Sequence, residues 1–313
     1  MSYRLKRKEA VSDGIKRLAA EEMEAASSQL ASGRNKDESV HEARKSLKKT
    51  RGLLSLVESE FGAQYREEDK RLRDIGRVLS SIRDAAVMVE VFDALVEKHK
   101  AALKKEHLAG IRLGLEKTRQ ELERSPAVLG GIERAIAGLH AVRGRIENWP
   151  LKAGSFRALE EGLSDSYRRG RKRLRIANKT GDARDFHEFR KSAKEHWYHM
   201  RLLEGLWPEQ IGARAASLKD LETWLGEHHN LEVLREKLPR DSQEDVQLFL
   251  GLAAQEQKDL AQNSISLAHR LYEQKPKQFA RDLSKLWDVW HEEVKLPPRK
   301  QPATTVVKKA QTA

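Results

Sequence analysis

A pattern of charged residues occurs twice in the sequence, with an offset of 146 residues. The segment "HEARKSLKKTR" begins at His41 and the segment "HEFRKSAKEHW" begins at His187, and both have the same glutamate, arginine, serine and two lysines at matching positions. A second block aligns at this offset without a gap, since "LSSIRDAAVM" from Leu79 lies over "LGEHHNLEVL" from Leu225. Two blocks at one offset indicate a tandem duplication, which restricts the fold to two similar halves.

The spacing of apolar residues favours helices throughout the chain. Charged residues make up 35% of the 313 residues, there are only 8 prolines, and helix-forming residue types dominate. Gly33 predicts the end of a helix, and Pro150 predicts a boundary between halves because the residue before a proline avoids the helical region. The sequence therefore predicts an all-α protein, a tandem duplication of two four-helix bundle-like halves with a pseudo-two-fold relation.

The predicted halves span residues 10–149 and 150–295 and together form one domain over residues 10–295. Residues 1–9 form a basic N-terminal arm, and residues 296–313 form a basic tail with three prolines. Neither end shows a helical period, so both ends are expected to be unstructured.

The net charge of +12 points to an anionic partner, which leaves nucleic acid, an acidic membrane surface and other polyanions open. The chain has no cysteine, which excludes disulfides and thiolate metal sites. It has no apolar run long enough to span a bilayer and no secretory signal, so a cytoplasmic protein without membrane contact is expected.

The repeated motif predicts a helix with one basic face and one apolar face. With about 100° per residue, Ala43, Leu47 and Leu54 lie opposite the basic residues of the first copy. Such a face could simply be solvated, but a solvated face usually interleaves glutamates, and these faces have almost none. The candidate ligands on the two basic faces are His41, Arg44, Lys45, Lys48, Lys49 and Arg51 in the first copy and His187, Arg190, Lys191, Lys194, Tyr198 and Arg201 in the second. His196 points to the apolar side and is interpreted as a core histidine.

Further cations extend this pattern. The segment "YRRGRKRLR" from Tyr167 carries a second basic face, and one matched pair of cations could flank a groove. These additional candidate ligands are Arg168, Arg171, Lys172, Arg175, Arg73 and Lys219. A basic row ~15 Å long suits an extended polyanion better than one small phosphate ester. Because protonated histidines would add donors, binding is expected to weaken as the pH rises through the histidine range.

The two motif copies resemble the CHAD domain, the conserved histidine α-helical domain, over residues 10–295. The family pattern is H-x-x-R-K-x-x-K-x-x-R in each of two four-helix halves, followed by an R-D or H-D pair. Here the pairs are Arg83-Asp84 and His229-Asn230, and Trp197 replaces the last basic residue of the second copy. The resemblance implies a non-catalytic module that binds inorganic polyphosphate, often at polyphosphate granules. It implies no cofactor, and the E-x-E-x-K signature of the triphosphate tunnel domains sometimes fused to such modules is absent.

Two alternatives remain open at this stage. A nucleic-acid-binding protein would use the same cations, although aromatic residues are only 6% of the chain and form no row for base stacking. A metalloenzyme would need paired Glu-x-x-His motifs, but Glu38 and His41 have no partner motif because position 184 is arginine. The oligomeric state is left undetermined.

Overall fold

The computed structural model describes residues 3–33, 35–238 and 244–292, and at Ile82 the backbone only. Within these residues the chain forms α-helices and two short 3-10 helices but no strand, so the all-α prediction is confirmed. The twelve α-helices of the described residues are α1 (Val11–Ala31), α2 (Lys36–Leu56), α3 (Glu58–Phe61), α4 (Gln64–Val78), α5 (Ser80–Lys98), α6 (Lys105–Arg124), α7 (Pro126–Arg145), α8 (Arg157–Thr180), α9 (Ala183–Leu203), α10 (Pro208–Lys237), α11 (Glu244–Leu271) and α12 (Pro276–Glu292).

The two motif helices, α2 and α9, begin at capping residues. The side chain of Asn35 accepts a hydrogen bond from the backbone N–H of Glu38 at 3.3 Å, and that of Asp182 accepts one from Arg184 at 2.7 Å. These contacts satisfy backbone donors that have no partner inside the helix. Gly33 ends the preceding segment with a φ of 62°, a left-handed conformation that glycine adopts at little cost.

Two hydrophobic cores hold the helices together, and each core takes residues from both sequence halves. The larger core is built mainly by α1, α2, α7, α8, α9 and α12. The smaller core is built by α5 and α6 from the first half with α10 and α11 from the second. Phe92 and Phe249, which are 157 residues apart in sequence, stack there with ring centroids 5.0 Å apart. The packing therefore differs from two separate four-helix bundles, because pairing of apolar faces crosses the boundary between the halves.

The N-terminal arm packs on the bundle, so the expectation of an unstructured arm is wrong for its described residues. Tyr3 and Leu5 are buried, and the backbone N–H of Leu5 donates to the carbonyl of Leu202 at 3.2 Å. Arg4 forms an ion pair with Glu204 at 2.7 Å. The arm is therefore attached to the bundle by two buried apolar side chains, a backbone hydrogen bond and an ion pair. The tail over residues 296–313 lies outside the described residues.

Helices α2 and α9 pack against each other and bring the two motif copies together. At Gly52 of α2 the two helices are in contact, since a Cβ atom there would lie 3.6 Å from the Cβ of Tyr198, an ordinary van der Waals distance. In the described part of the chain, no helix has the length and apolar character needed to cross a membrane.

Candidate functional site

Four cations from the two motif helices form one group, which we call the central cation cluster: Arg44 and Lys48 on α2, and Arg190 and Lys194 on α9. Burial and the charges of Lys194, Arg44 and Arg190 lower the pKa of Lys48 to about 7. Burial and nearby like charges both disfavour the charged form of a lysine, and here both act on Lys48. The two basic faces predicted from the sequence thus meet in a shared positive surface.

The two arginines of the central cation cluster lie against the backbone of neighbouring helices, and Arg44 bonds to it. Arg44 donates from Nη1 to the carbonyl of Gly76 on α4 at 2.8 Å, and burial and the charges of Arg190 and Arg83 lower its pKa. On the other side, a Cβ atom at Gly226 would lie 3.2 Å from Nη2 of Arg190, so α10 approaches this arginine closely. Nε of Arg190 is buried without a hydrogen-bond partner, which leaves a donor of the cluster unused.

A buried carboxylate, Glu222 on α10, neutralises part of the central cation cluster. Its side chain lies 2.7 Å from Nζ of Lys194, 3.0 Å from Nζ of Lys219 and 3.6 Å from Nη2 of Arg190. Burial alone would raise the pKa of Glu222, but Lys194, Arg190 and Lys219 lower it to about 2. The sequence reasoning missed this residue, although a glutamate one turn after the candidate ligand Lys219 in "SLKDLETW" was the available signal.

The motif histidines lie beside the cluster in mainly neutral form. Burial and the charge of Arg83 lower the pKa of His41 below its ordinary value. Burial, His229 and Lys191 lower the pKa of His187 to about 4, and the rings of His187 and His229 are 4.0 Å apart between centroids. The predicted weakening of binding through the histidine range stays a prediction, and in the unliganded protein the pKa values of both motif histidines are lowered.

Matching positions on α2 and α9 carry different groups at the flank of the cluster. In the first half, Arg51 and Arg73 both pair with Asp69, at 2.6 and 3.3 Å. In the second half, Trp197 stands where Arg51 does at the offset of 146 residues. The charged groups of Arg201 and Lys219 lie 5.4 and 5.0 Å from the ring centroid of Trp197. An aromatic face can therefore hold two cations where the first half uses a carboxylate.

Lys45 and Lys191 lie at the outer edge of the two basic faces. Lys45 pairs with Glu42 at 2.9 Å, and Lys191 pairs with Glu188, in both cases one turn earlier on the same helix. Both are surface ion pairs, which contribute little stability because water and salt screen them. These lysines are accordingly able to exchange their carboxylate partners for another anion.

Two candidate ligands of the motif helices lie elsewhere, which corrects the helical-wheel assignment. Tyr198 is only 1% exposed, because it packs against Gly52 where α2 and α9 approach each other. Lys49 points to α1, where its Nζ pairs with Glu22 at 2.5 Å and lies over the ring of Tyr3. Neither side chain belongs to the shared positive surface. His196 is buried, as predicted.

The basic face of α8 is separate from the cluster in the described residues. Arg168 pairs with Asp165 at 2.6 Å, whereas it is Arg169 and Arg173 that reach Glu195 and Glu188 on α9. Within the described ranges, no hydrogen bond or ion pair joins the central cation cluster to the predicted α8 ligands Arg168, Arg171, Lys172 and Arg175. The helical wheel places these cations on one face of α8, but a wheel does not show which helix packs beside that face.

Arg83 and Asp84, the residue pair that follows the first motif copy, lie at the start of α5 and act on the cluster through their charges. Arg83 pairs with Glu90 at 2.8 Å and acts electrostatically on His41 and Arg44. The charge of Asp84 instead favours higher pKa values for Arg44 and for His229 of α10. In the described ranges, no group of three or more His, Asp or Glu residues is arranged to hold a metal ion.

Comparisons with known proteins identify the family. The model of the CHAD domain family matches residues 15–239 of the 313. The crystal structure of the CHAD domain from the plant Ricinus communis is similar with a TM-score of 0.55 and 17% identity, covering 84% of this chain and 94% of that chain. PptA from Streptomyces chartreusis is similar with a TM-score of 0.56 and 12% identity, covering 85% of this chain and 100% of that chain.

At these identities the two solved structures support the fold alone. The comparison with curated proteins gives no match. The family model nevertheless spans more than half of the sequence and includes both motif helices. The chain belongs to the CHAD domain family.

Proposed function

We propose that the protein binds inorganic polyphosphate at the central cation cluster and does so without catalysis. The observation that carries this proposal is the convergence of Arg44, Lys48, Arg190 and Lys194 from two helices into one partly buried group. Like charges held close together lower the stability of the fold. Groups with strongly perturbed pKa values are concentrated at functional sites. A bound polyanion would remove the cost by neutralising all four cations.

An extended chain of phosphates suits this arrangement better than a single phosphate. The basic face of each motif helix is ~15 Å long, and arginine and lysine together provide both fork-shaped and movable donors. A long chain contacts cations on both helices at once, so its affinity rises through effective concentration. Lys45, Lys191, Arg51, Arg73, Arg201 and Lys219 are proposed as flanking ligands, and His41 and His187 as further donors once they are protonated.

We also propose that the chain is a tandem duplication, with its CHAD domain over residues 10–295. Helix α8 begins 146 residues after α1, and α2 and α9 both have 21 residues. The same offset relates the two sequence motifs. In a cell, the binding activity would bring the protein to polyphosphate granules in the cytoplasm.

The test is a calorimetric titration with long-chain polyphosphate, tripolyphosphate and a mixed-sequence DNA duplex at ~0.15 M salt. We expect the long chain to bind at least tenfold more tightly than either comparator. The long-chain affinity should fall steeply with salt because bound cations are released from the ligand. Equal or tighter binding of the duplex would assign the protein to the nucleic-acid-binding class instead.

A triple variant locates the site. Lys45→Gln/Lys48→Met/Lys191→Gln removes three cations but leaves Arg190 and Lys194 to hold Glu222, whose burial without partners would destabilise the fold. We expect this variant to lose at least tenfold in long-chain affinity and to show a shallower salt dependence.

Two matched variants complete the experiment. Lys100→Gln/Lys104→Gln/Lys117→Gln removes the same charge from the region of α5 and α6, and its affinity should stay within threefold of the wild type. Arg168→Gln/Arg171→Gln/Arg175→Gln tests the sequence-based prediction for α8. Equal losses in all three variants would mean that net charge, rather than the central cation cluster, determines binding.

A further inference from the structure

In the described residues, the cations of the central cation cluster that form direct ion pairs with a carboxylate are those of α9. On the α9 side, the single carboxylate of Glu222 engages Arg190, Lys194 and Lys219 within 2.7 to 3.6 Å. Glu222 is only 4% exposed, so water screens these pairs weakly. This buried carboxylate thus engages three cations at once.

The α2 side has no equivalent carboxylate. The position 146 residues before Glu222 is Gly76, which offers Arg44 only a backbone carbonyl at 2.8 Å. Lys48 forms no ion pair with any carboxylate in the described ranges. Arg44 and Lys48 therefore have no direct ion pair in the described ranges, although the charges of Asp84 and Glu222 act on them, whereas Arg190 and Lys194 pair directly with an internal anion.

We propose that Glu222 is an internal competitor of the ligand for Arg190, Lys194 and Lys219, and that this competition favours long polyphosphate chains over short ones. This inference rests on the proposed function. A short chain that reaches the α9 side meets the repulsion of Glu222 over most of its length. A long chain can bind Arg44 and Lys48 and extend to flanking cations, so the repulsion affects a smaller part of its contacts.

The competition is a case of selectivity through an unfavourable interaction. Selectivity depends on the difference between two affinities, and a fixed negative charge lowers the affinity of the ligand that cannot avoid it. The low pKa of Glu222, about 2, means that the competing charge is present over the whole physiological pH range. The effect would therefore not depend on protonation of the carboxylate.

The first test is Glu222→Gln, which keeps the shape of the side chain and removes its charge. We expect tripolyphosphate affinity to rise at least tenfold and long-chain affinity to rise less than threefold, so that the ratio between them falls. The salt dependence for tripolyphosphate should steepen, because more cations become available to the ligand. Glu97→Gln changes the net charge equally on an exposed part of α5 and should change neither affinity by more than threefold.

The reciprocal variant is Gly76→Glu, which introduces a carboxylate beside Arg44 and Lys48. A Cβ atom at Gly76 would lie 3.9 Å from Cδ1 of Leu47, an ordinary van der Waals contact, so the position accepts a Cβ atom without a clash. We expect tripolyphosphate affinity to fall at least tenfold. This variant carries the test alone if Glu222→Gln does not fold.

The outcomes separate the inference from the proposed function. If wild-type protein binds long polyphosphate but Glu222→Gln leaves tripolyphosphate binding unchanged or weakens it, Glu222 only holds the cations in position and the inference is overturned. Unchanged binding in Gly76→Glu overturns it as well. If the wild type binds no polyphosphate, the proposed function fails and the inference fails with it.

Discussion

Replacing Gly162 with alanine is expected to lower the free energy of unfolding by about 3 kcal/mol. Gly162 on α8 lies against the backbone at the end of α2. An added Cβ atom would lie 2.6 Å from the Cα and carbonyl carbon of Leu56 and closer still to the carbonyl oxygen. Because these are backbone atoms, the helices themselves must separate, and a better helix propensity of alanine, about 1 kcal/mol, cannot compensate.

Chemical denaturation followed by circular dichroism measures this difference. Gly251→Ala is the matched control, since Gly251 is an exposed position inside α11 with no other atom within 4 Å of an added Cβ. That variant should be more stable than the wild type by about 1 kcal/mol. A Gly162→Ala protein as stable as the wild type would contradict the close approach of α8 to Leu56.

Polyphosphate affinity is expected to fall about 100-fold between pH 7 and pH 9 if the ligand holds Lys48 in its charged form. The pKa of Lys48 in the unliganded protein is about 7, compared with an ordinary value of 10.5. A bound polyanion raises this pKa again, so binding above pH 7 takes up a proton, and each pH unit costs up to about tenfold in affinity. His41 and His187 have lowered pKa values and add a pH dependence on the acid side of this window.

The lowered pKa of Lys48 also affects the stability of the unliganded protein, which rises with pH where the ligand affinity falls. Between about pH 7 and 10.5 the unfolded chain keeps its proton on Lys48 while the folded chain loses it. The contribution of Lys48 to the free energy of unfolding therefore rises with pH in this interval.

Calorimetry in buffers with different ionisation enthalpies measures the proton uptake directly. Lys48→Arg keeps the charge throughout this range, because an arginine side chain stays protonated, and it should bind with a nearly flat profile from pH 7 to 9. An equally flat profile for the wild type would contradict a role for Lys48 as a ligand that titrates near neutral pH.

Much of the local structure could be predicted from the sequence, because helix propensity and capping act over short distances. The caps Asn35 and Asp182 are of residue types that favour this position, and the apolar faces of α2 and α9 are buried as the periodicity predicts. Tyr198 shows where this reasoning ends. A helical wheel gives the direction of a side chain relative to its own helix, but whether that direction is covered depends on the partner helix, here at Gly52.

The organisation of the candidate site depended on contacts that the sequence does not display. The sequence alignment pairs Arg44 with Arg190 and Lys48 with Lys194. It does not show that the paired residues lie in one cluster. Glu222 was overlooked because a glutamate one turn after a lysine, here Lys219, usually forms an ion pair on the helix surface. Only the packing of α10 against α9 makes it a buried partner of three cations.

The pairing of α5 and α6 with α10 and α11 also has a consequence for synthesis on the ribosome. Phe92 leaves the ribosome 157 residues before Phe249, its stacking partner in the smaller core. At about 5–20 residues per second, the apolar faces of α5 and α6 remain uncovered for roughly 10 to 30 s. Nascent chains of this length would expose a surface that holdase chaperones recognise, and the N-terminal half would complete its folding only after most of the chain has been translated.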